Sequence, residues 1–253
     1  KEIVKLDKSN IYLIYDHCHF FYPEIQSIID DKFLKSIEKE ILKLDSDKFE
    51  SNRQLGENES IICSLIRNDS VIDFITHVNR LSIPLSSEIK HSIFETNNFL
   101  IKRENTSLIE YAAFYGSIEI FQYLLLNNVE FKSSLWLYSI HGRNAEIIHL
   151  LEENHVELPN NSFCKLIKEA IKCHHNDFAD YFINLNNQKS DIFDIIIEYS
   201  FKYNNYYYFN YDLTKCFFLL CKYKYTELIT FFIAKNKNDM IKYIRKISSF
   251  SIE

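Results

Sequence analysis

The chain has 253 residues, of which 47% are hydrophobic and 15% aromatic, so it can bury a sizeable core as two compact domains or one elongated array. Only three glycines and three prolines occur, which argues against a turn-rich β fold and favours helices joined by Asn-rich bends. The formal net charge of −6 gives no general attraction to nucleic acid or to an anionic membrane.

Six cysteines lie mostly inside apolar periodic segments and lack paired spacing. This usage is typical of reduced, buried thiols in a protein of the cytoplasm. No apolar run approaches the roughly 20 residues that a membrane-spanning helix needs, so we expect no membrane insertion.

The N-terminal segment 1–58 is predicted to be a helical cap followed by a linker. Apolar residues at helical spacing between Pro23 and Leu44 predict a long amphipathic helix that caps the remaining chain or mediates assembly. The polar stretch Asp45–Glu59, which contains Gly56, is predicted to be a mobile loop.

The first helical hairpin is predicted from two apolar stripes, at residues 61–66 and 71–78, separated by Asn68-Asp69-Ser70. The connection that follows, residues 81–104, is predicted to contain a short helix near Glu88–Phe94.

The segment Ser107–Glu130 has the clearest pattern in the chain, with the sequence SLIEYAAFYGSIEIFQYLLLNNVE. Ser107 and Glu110 have the spacing of a capping box at a helix N-terminus. Gly116 separates two apolar helical stripes, so the segment predicts a helix, a tight turn and a second helix. A hairpin of this size cannot bury both stripes alone and therefore needs stacked neighbours.

The hairpin pattern recurs along the chain. A shift of 27 residues places Gly116 on Arg143, a shift of 88 places it on Asn204, and a shift of 108 places it on Lys224. A further unit occupies 163–186, with its turn at 173–177. The last two matches lie only 20 residues apart, so the run Tyr206–Tyr211 is predicted to form an irregular second helix.

The sequence of small and apolar residues around Ala112-Ala113 and Gly116 resembles an ankyrin repeat. The five blocks SLIEYAAFYGSIEIFQYL, SLWLYSIHGRNAEIIHLLEENHVEL, CKLIKEAIKCHHNDFADYFI, SFKYNNYYYF and FFLLCKYKYTELITFFI together resemble the expanded, divergent ankyrin-repeat family of parabasalid protists. The resemblance covers roughly residues 60–237, although the usual Thr-Pro-Leu-His tetrapeptide is missing. It implies an α-solenoid and an interaction role, and it carries over no catalytic residue.

The predicted fold is therefore all-α, an α-solenoid of degenerate ankyrin-like helix–turn–helix repeats with an N-terminal helical cap. The predicted domains are the cap and linker, 1–58, and the repeat array, 59–253.

Enzyme motifs that need glycine-rich loops are missing, because the three glycines are isolated. There is no phosphate-binding loop, dinucleotide fingerprint or Gly-x-Ser-x-Gly elbow, and we predict no enzymatic activity and no cofactor. A thiol–imidazole pair or zinc site formed by Cys164, Cys173, His174 and His175 is the competing hypothesis, and a polar turn beside a buried cysteine is favoured over it. The run Tyr206-Tyr207-Tyr208 could stack nucleic-acid bases, but the acidic chain favours core packing.

The resemblance also implies a binding surface, because the residues at the end of each first helix face the concave side of an ankyrin stack. The residues at or near these positions are Phe114, Tyr115, His141, His174, His175, Lys202, Tyr203, Lys222 and Tyr223. Aromatic and cationic side chains are favoured at binding hot spots, although the aromatics could instead only cover the seams between repeats.

We therefore expect a non-enzymatic scaffold that binds a protein partner through this concave face, without nucleic acid, metal or membrane. The alternative is a structural component of a larger cytoskeletal or organellar assembly, packed through the convex faces and through the 23–44 helix with its residues Glu38, Glu40 and Lys43. The third hypothesis is a metalloprotein or enzyme centred on Cys173-His174-His175.

Overall fold

The computed structural model describes residues 18–25, 35, 38, 46–103, 105–186, 189–208 and 217–235. These residues contain helices and turns but no strand, and their only β pairing is an isolated bridge between Glu88 and Ser107. The all-α prediction is confirmed for this part of the chain. Two compact units divide the protein, unit 1 (Lys1–Phe131) and unit 2 (Lys132–Glu253).

Unit 1 contains two helical hairpins preceded by shorter helical segments. Its helices are α1 (Tyr22–Ile25), α2 (Ser46–Leu55), α3 (Ile61–Arg67), α4 (Val71–Leu81), α5 (Asn98–Ile101), α6 (Leu108–Tyr115) and α7 (Ile118–Leu126). Helices α3 and α4 form one hairpin and α6 and α7 the next, with α3 packed on α6 and α4 on α7. The stacking buries the apolar stripes of both hairpins.

Unit 2 repeats the arrangement. Its helices are α8 (Leu135–Gly142), α9 (Ala145–Glu153), α10 (Cys164–Lys172), α11 (Asn176–Leu185), α12 (Lys189–Lys202), α13 (Phe217–Lys222) and α14 (Thr226–Lys235), and a 3-10 turn follows α12 at Tyr206–Tyr208. The first helices of successive hairpins pack in series, α8 on α10, α10 on α12 and α12 on α13. The irregular element predicted after α12 is thus a 3-10 turn in its described part.

The capping box predicted at the start of α6 is confirmed. The backbone N–H of Ser107 donates to the Glu110 carboxylate at 2.9 Å, and the Glu110 N–H donates to Ser107 Oγ at 3.4 Å. At the other end Gly116 takes φ +69, the left-handed conformation that closes a helix with least strain in glycine.

The residues that the repeat alignments place on Gly116 share its left-handed backbone conformation. The aligned residues Arg143, Asn204 and Lys224 all have positive φ, of 49, 55 and 59. Two residues that the alignment left less certain, Asp69 and His174, have φ of 49 and 59 and close the remaining two hairpins. Each hairpin therefore turns through one left-handed residue, which lies one or two positions after the end of its first helix.

This shared turn predicts opposite effects for two exchanges. We expect Gly116→Ala to destabilise unit 1 by about 1 kcal/mol, because an L side chain is strained at positive φ. Lys224→Gly should instead stabilise unit 2 by roughly 0.5–1 kcal/mol, since it relieves the strain at φ 59. Urea denaturation followed by circular dichroism measures both, and equal signs would contradict the strain argument.

Two local predictions are wrong, and tertiary contacts explain both. The stretch expected to be a mobile loop contains α2, whose Phe49 packs edge-on against Phe94 with ring centroids 5.5 Å apart and whose Arg53 pairs with Glu24. The stretch Glu88–Phe94, where a helix was expected, is irregular and ends in a turn, and the Ile89 N–H donates to the Thr106 carbonyl at 2.7 Å. The short helix of this connection is α5 instead.

The predicted N-terminal cap lies largely outside the described residues. Within it the structure describes α1 and two single positions, Lys35 and Glu38, and the Tyr22 hydroxyl donates to the Glu38 carboxylate at 2.7 Å. The long helix over 23–44, its residues Glu40 and Lys43, and the boundary at residue 58 stay predictions.

Candidate functional site

The two contact residues predicted in unit 1 lie in or beside its core. Phe114 is only 7% exposed and stacks on Phe99 with centroids 5.6 Å apart. Tyr115 is half-buried against Tyr111, with centroids 4.7 Å apart, and burial raises the pKa of its hydroxyl to about 12. Phe114 thus offers almost no surface to a partner, because α5 covers it.

The predicted residues of unit 2 are more accessible. Lysines and half-buried tyrosines lie in or just after α10, α12 and α13, and together we name them the tyrosine–lysine strip: Lys168, Tyr199, Lys202, Tyr203, Lys222 and Tyr223. Lys202 and Lys222 are exposed, and Lys168 is half-buried. Since α10, α12 and α13 pack in series, the strip crosses three consecutive first helices.

Contacts within the strip hold lysines against tyrosine rings. The Lys202 ammonium lies 5.4 Å from the Tyr199 centroid and 5.3 Å from the Tyr203 centroid. The Lys168 ammonium from α10 lies 5.2 Å from the Tyr199 centroid, so this ring joins two hairpins. Such cation–π contacts are worth about 0.5–1 kcal/mol each at exposed sites, enough to orient side chains.

A carboxylate, that of Glu198, lies beside the strip residues Lys222 and Tyr223. Glu198 accepts from Lys222 Nζ at 2.7 Å and from the Tyr223 hydroxyl at 3.2 Å. The hydrogen bond from Lys222 is the main reason that the pKa of Glu198 is lowered. Glu198 therefore fixes the positions of both predicted contact residues on α13.

His174 and His175 do not form a shared site with Cys173. His174 Nε2 lies 2.9 Å from the Tyr203 carbonyl, and His175 Nδ1 lies 2.7 Å from the Ile140 carbonyl. A carbonyl only accepts, so the ring nitrogen carries the proton in each contact. Each imidazole therefore makes a hydrogen bond to the backbone of a neighbouring hairpin in unit 2.

Cys173 instead lies beside His141 and Glu169, which sequence reasoning did not connect. Its Sγ is 3.6 Å from His141 Nδ1 and 3.7 Å from Nε2, and that Nε2 is 2.9 Å from Glu169 Oε1. The Lys172 ammonium also donates to Glu169 Oε1, at 2.7 Å. The signal available in the sequence was the one-turn spacing of Glu169 and Cys173 on one helix face.

The protonation states in this cluster differ sharply. Burial, which acts against the carboxylate, is outweighed by hydrogen bonds from His141 and Lys172, so the pKa of Glu169 is lowered. Burial and then the Glu169 charge raise the pKa of the Cys173 thiol to about 12. A nucleophilic cysteine needs a lowered pKa, so the cluster does not fit thiol catalysis.

We expect Cys173 to be slow to alkylate. At pH 8 a thiol with a pKa of about 12 has roughly a thousandfold less thiolate than one at the ordinary 9.0. Iodoacetamide labelling in the presence of EDTA, followed by peptide mass spectrometry, should modify the exposed Cys221 long before Cys173. Equal rates at the two thiols would contradict the buried, protonated state.

A repeated contact between hairpins was also missed. At four hairpin turns, the residue after the left-handed one donates a side-chain hydrogen bond to the carbonyl three residues before the turn of the preceding hairpin. The four pairs are Ser117–Ile66 (2.5 Å), His175–Ile140 (2.7 Å), Asn205–Ile171 (3.0 Å) and Tyr225–Phe201 (2.7 Å). We call these four side chains the turn donors.

The turn donors satisfy helix ends. The carbonyls of Ile66, Ile140 and Ile171 also accept the N–H of the left-handed residue three positions later. Each turn donor therefore adds a hydrogen bond from the next hairpin to a carbonyl at the end of a helix. The alignment could have found them, because shifts of 88 and 108 place Ser117 on Asn205 and Tyr225. His175, predicted as a contact residue, is thus a link between α8 and the hairpin of α10 and α11.

The tyrosine run is only partly core. Tyr208 is 6% exposed and donates to Asp180 at 2.8 Å, whereas Tyr206 and Tyr207 are 61% and 57% exposed. The cysteines in the described residues, Cys18, Cys63, Cys164, Cys173 and Cys221, are free thiols.

Comparison of the chain with known protein families, with curated proteins and with solved structures finds no match. Within the described residues, no helix is both long and apolar enough to cross a bilayer.

Proposed function

We propose that the chain is a cytoplasmic, non-enzymatic scaffold of ankyrin type that binds a partner protein through the tyrosine–lysine strip of unit 2. The observation that carries the proposal is the strip itself, in which successive first helices present tyrosines and lysines side by side. Tyrosines that are already held in place lose little conformational freedom on binding, which favours them as contact residues.

The packing order supports an α-solenoid. In each unit the first helix of one hairpin packs on the first helix of the next, and turn donors link the same positions each time. Nearest-neighbour stacking of short hairpins is the hallmark of repeat proteins, whose extended surfaces bind other proteins.

The charge of the strip indicates the chemistry of the partner. Three lysines of the strip place ammonium groups over tyrosine rings, and Glu198 pairs with only one of them, Lys222, by a direct hydrogen bond. The strip is therefore a cationic surface on a chain of net charge −6. A partner segment with carboxylates and apolar side chains fits it best, and binding should weaken as salt rises.

Affinity purification with paired variants tests the proposal. The full chain is tagged in its native cell, and the recovered proteins are quantified for wild type and for Lys202→Glu combined with Tyr203→Ala. We expect a specific partner to bind roughly 30-fold more weakly to the double variant, corresponding to about 2 kcal/mol for a hot-spot loss.

Lys132→Glu is the control, because it makes the same charge change at an exposed residue outside the strip. Circular dichroism must show equal helicity for all three proteins. Recovery that is unchanged by the double variant, or lost equally with Lys132→Glu, contradicts binding through the strip.

A further inference from the structure

His141, Glu169 and Cys173 bring an imidazole, a carboxylate and a thiol together on two packed helices. His141 lies in the last turn of α8, while Glu169 and Cys173 lie one turn apart at the end of α10. Their ligand atoms all lie within 4.8 Å of one another, the one such cluster in the described residues. Imidazole and thiolate are ligands typical of zinc.

The distances are close to those of a tetrahedral zinc site. Bonds of about 2.05 Å to nitrogen and about 2.3 Å to sulfur place the two ligand atoms about 3.6 Å apart at a tetrahedral angle. His141 Nε2 and Cys173 Sγ are 3.7 Å apart. A nitrogen and an oxygen ligand should be about 3.3 Å apart, and Nε2 and Glu169 Oε1 are 2.9 Å apart. Cys173 Sγ is also 3.6 Å from Nδ1, so it lies beside the imidazole ring and not along the outward direction of Nε2. Ion binding therefore requires the Cys173 or His141 side chain to rotate.

Charge and access also fit a divalent cation. A thiolate and a carboxylate together carry two negative charges, which balance the two positive charges of Zn²⁺. The His141 and Glu169 side chains are 13% and 18% exposed, so the cluster is shielded but reachable from solvent. Lys172 competes for Glu169, yet its side chain is 36% exposed and can turn outward.

We propose that His141, Glu169 and Cys173 form a Zn²⁺ site that links α8 to α10, with a fourth position left for water. On binding, the Sγ–H bond of Cys173 breaks, a Zn–Sγ bond forms and the proton leaves to solvent. The proton that Nε2 donates to Glu169 also leaves this nitrogen, for Nδ1 or for solvent. At least one proton is therefore released for each ion bound.

Zinc titration of the full chain tests the site. The metal-free protein is titrated with Zn²⁺ in competition with a chromophoric chelator, and we expect a site that takes up one ion. Cys173→Ser and His141→Ala should each weaken this binding roughly 100-fold or more, because loss of a ligand exceeds the 10–100-fold effect of outer-shell changes. Cys221→Ser and His149→Ala are the controls, since they remove an exposed thiol and an exposed imidazole paired with Glu152.

Lys172→Gln should strengthen zinc binding. A misfolded variant can lose affinity but cannot gain it, so this variant separates a real site from a folding defect. Removing the ammonium that competes with the ion for the Glu169 carboxylate is expected to tighten binding about fivefold. Cobalt substitution gives an independent signal, a thiolate-to-cobalt charge-transfer band that is lost in Cys173→Ser. Equal zinc affinity in wild type, Cys173→Ser and Lys172→Gln, or a cobalt spectrum without the thiolate band, overturns the proposal.

Discussion

Phe182→Ala is expected to destabilise unit 2 by about 3–5 kcal/mol, the largest effect of any single exchange considered for this unit. Phe182 is fully buried in α11 and lies against four aromatic rings, those of Trp136, Phe163, Phe178 and Tyr181. Trp136 belongs to α8, so the Phe182 ring joins two consecutive hairpins. It also packs against Phe163, at the start of the other helix of its own hairpin. Truncation removes the contacts and leaves a cavity that a stacked array cannot easily close.

Urea denaturation followed by circular dichroism and by tryptophan fluorescence measures the loss. The single tryptophan, Trp136, lies 6.4 Å from the Phe182 centroid and reports on unit 2 directly. Phe218→Ala is the control, because it removes the same ring from a position that is 64% exposed in α13, and it should cost less than about 0.5 kcal/mol. Equal losses for both variants would contradict the assigned burial.

Helix positions were predictable where local signals agreed with the repeat. Ser107, Glu110 and Gly116 specify the start and end of α6 through their own side chains and backbone, without help from distant residues. The shifts of 88 and 108 placed the left-handed turns at Asn204 and Lys224 although neither is glycine. The position of these residues within the repeat, and not their residue type, predicted the turns.

The segments that were predicted wrongly depend on contacts distant in sequence. The polar helix α2 has a weak apolar stripe, and it is held by Phe49 against Phe94, 45 residues away by their numbers. The backbone on either side of Glu88 is bonded to a segment distant in sequence, because Ile89 N–H donates to the Thr106 carbonyl and Leu108 N–H donates to the Ser87 carbonyl. Tertiary contacts override local propensity in both cases.

The candidate sites were predictable only in outline. Counting positions back from each turn identified Lys202, Tyr203, Lys222 and Tyr223, which are accessible in unit 2. The same count could not show that α5 covers Phe114. It also could not bring His141 to Cys173, since that contact requires knowing which helix packs beside α10.

The second large effect concerns the turn donors. We expect Asn205→Ala to destabilise unit 2 by about 1–3 kcal/mol, because it removes two hydrogen bonds of one buried amide. The Ile171 carbonyl keeps the N–H of His174 at 3.1 Å, whereas Asn176 Oδ1 loses the Asn205 donor. Asn205 is 1% exposed, and its Nδ2 donates to the Ile171 carbonyl at 3.0 Å and to Asn176 Oδ1 at 2.7 Å. Both acceptors belong to the preceding hairpin, so the loss falls on the contact between hairpins.

Asn154→Ala is the matched control. Its Nδ2 also donates to a backbone carbonyl, that of Leu150 at 2.8 Å, but the bond is exposed and lies within the helical turn ending α9. Water replaces an exposed donor, so this exchange should cost less than about 0.5 kcal/mol. Hydrogen exchange separates the two mechanisms, since only loss of a link between hairpins should raise exchange in α12 and α13 before α8 and α9. Uniform acceleration throughout unit 2 in Asn205→Ala would mean that the hairpins unfold together and that the turn donors do not couple them pairwise.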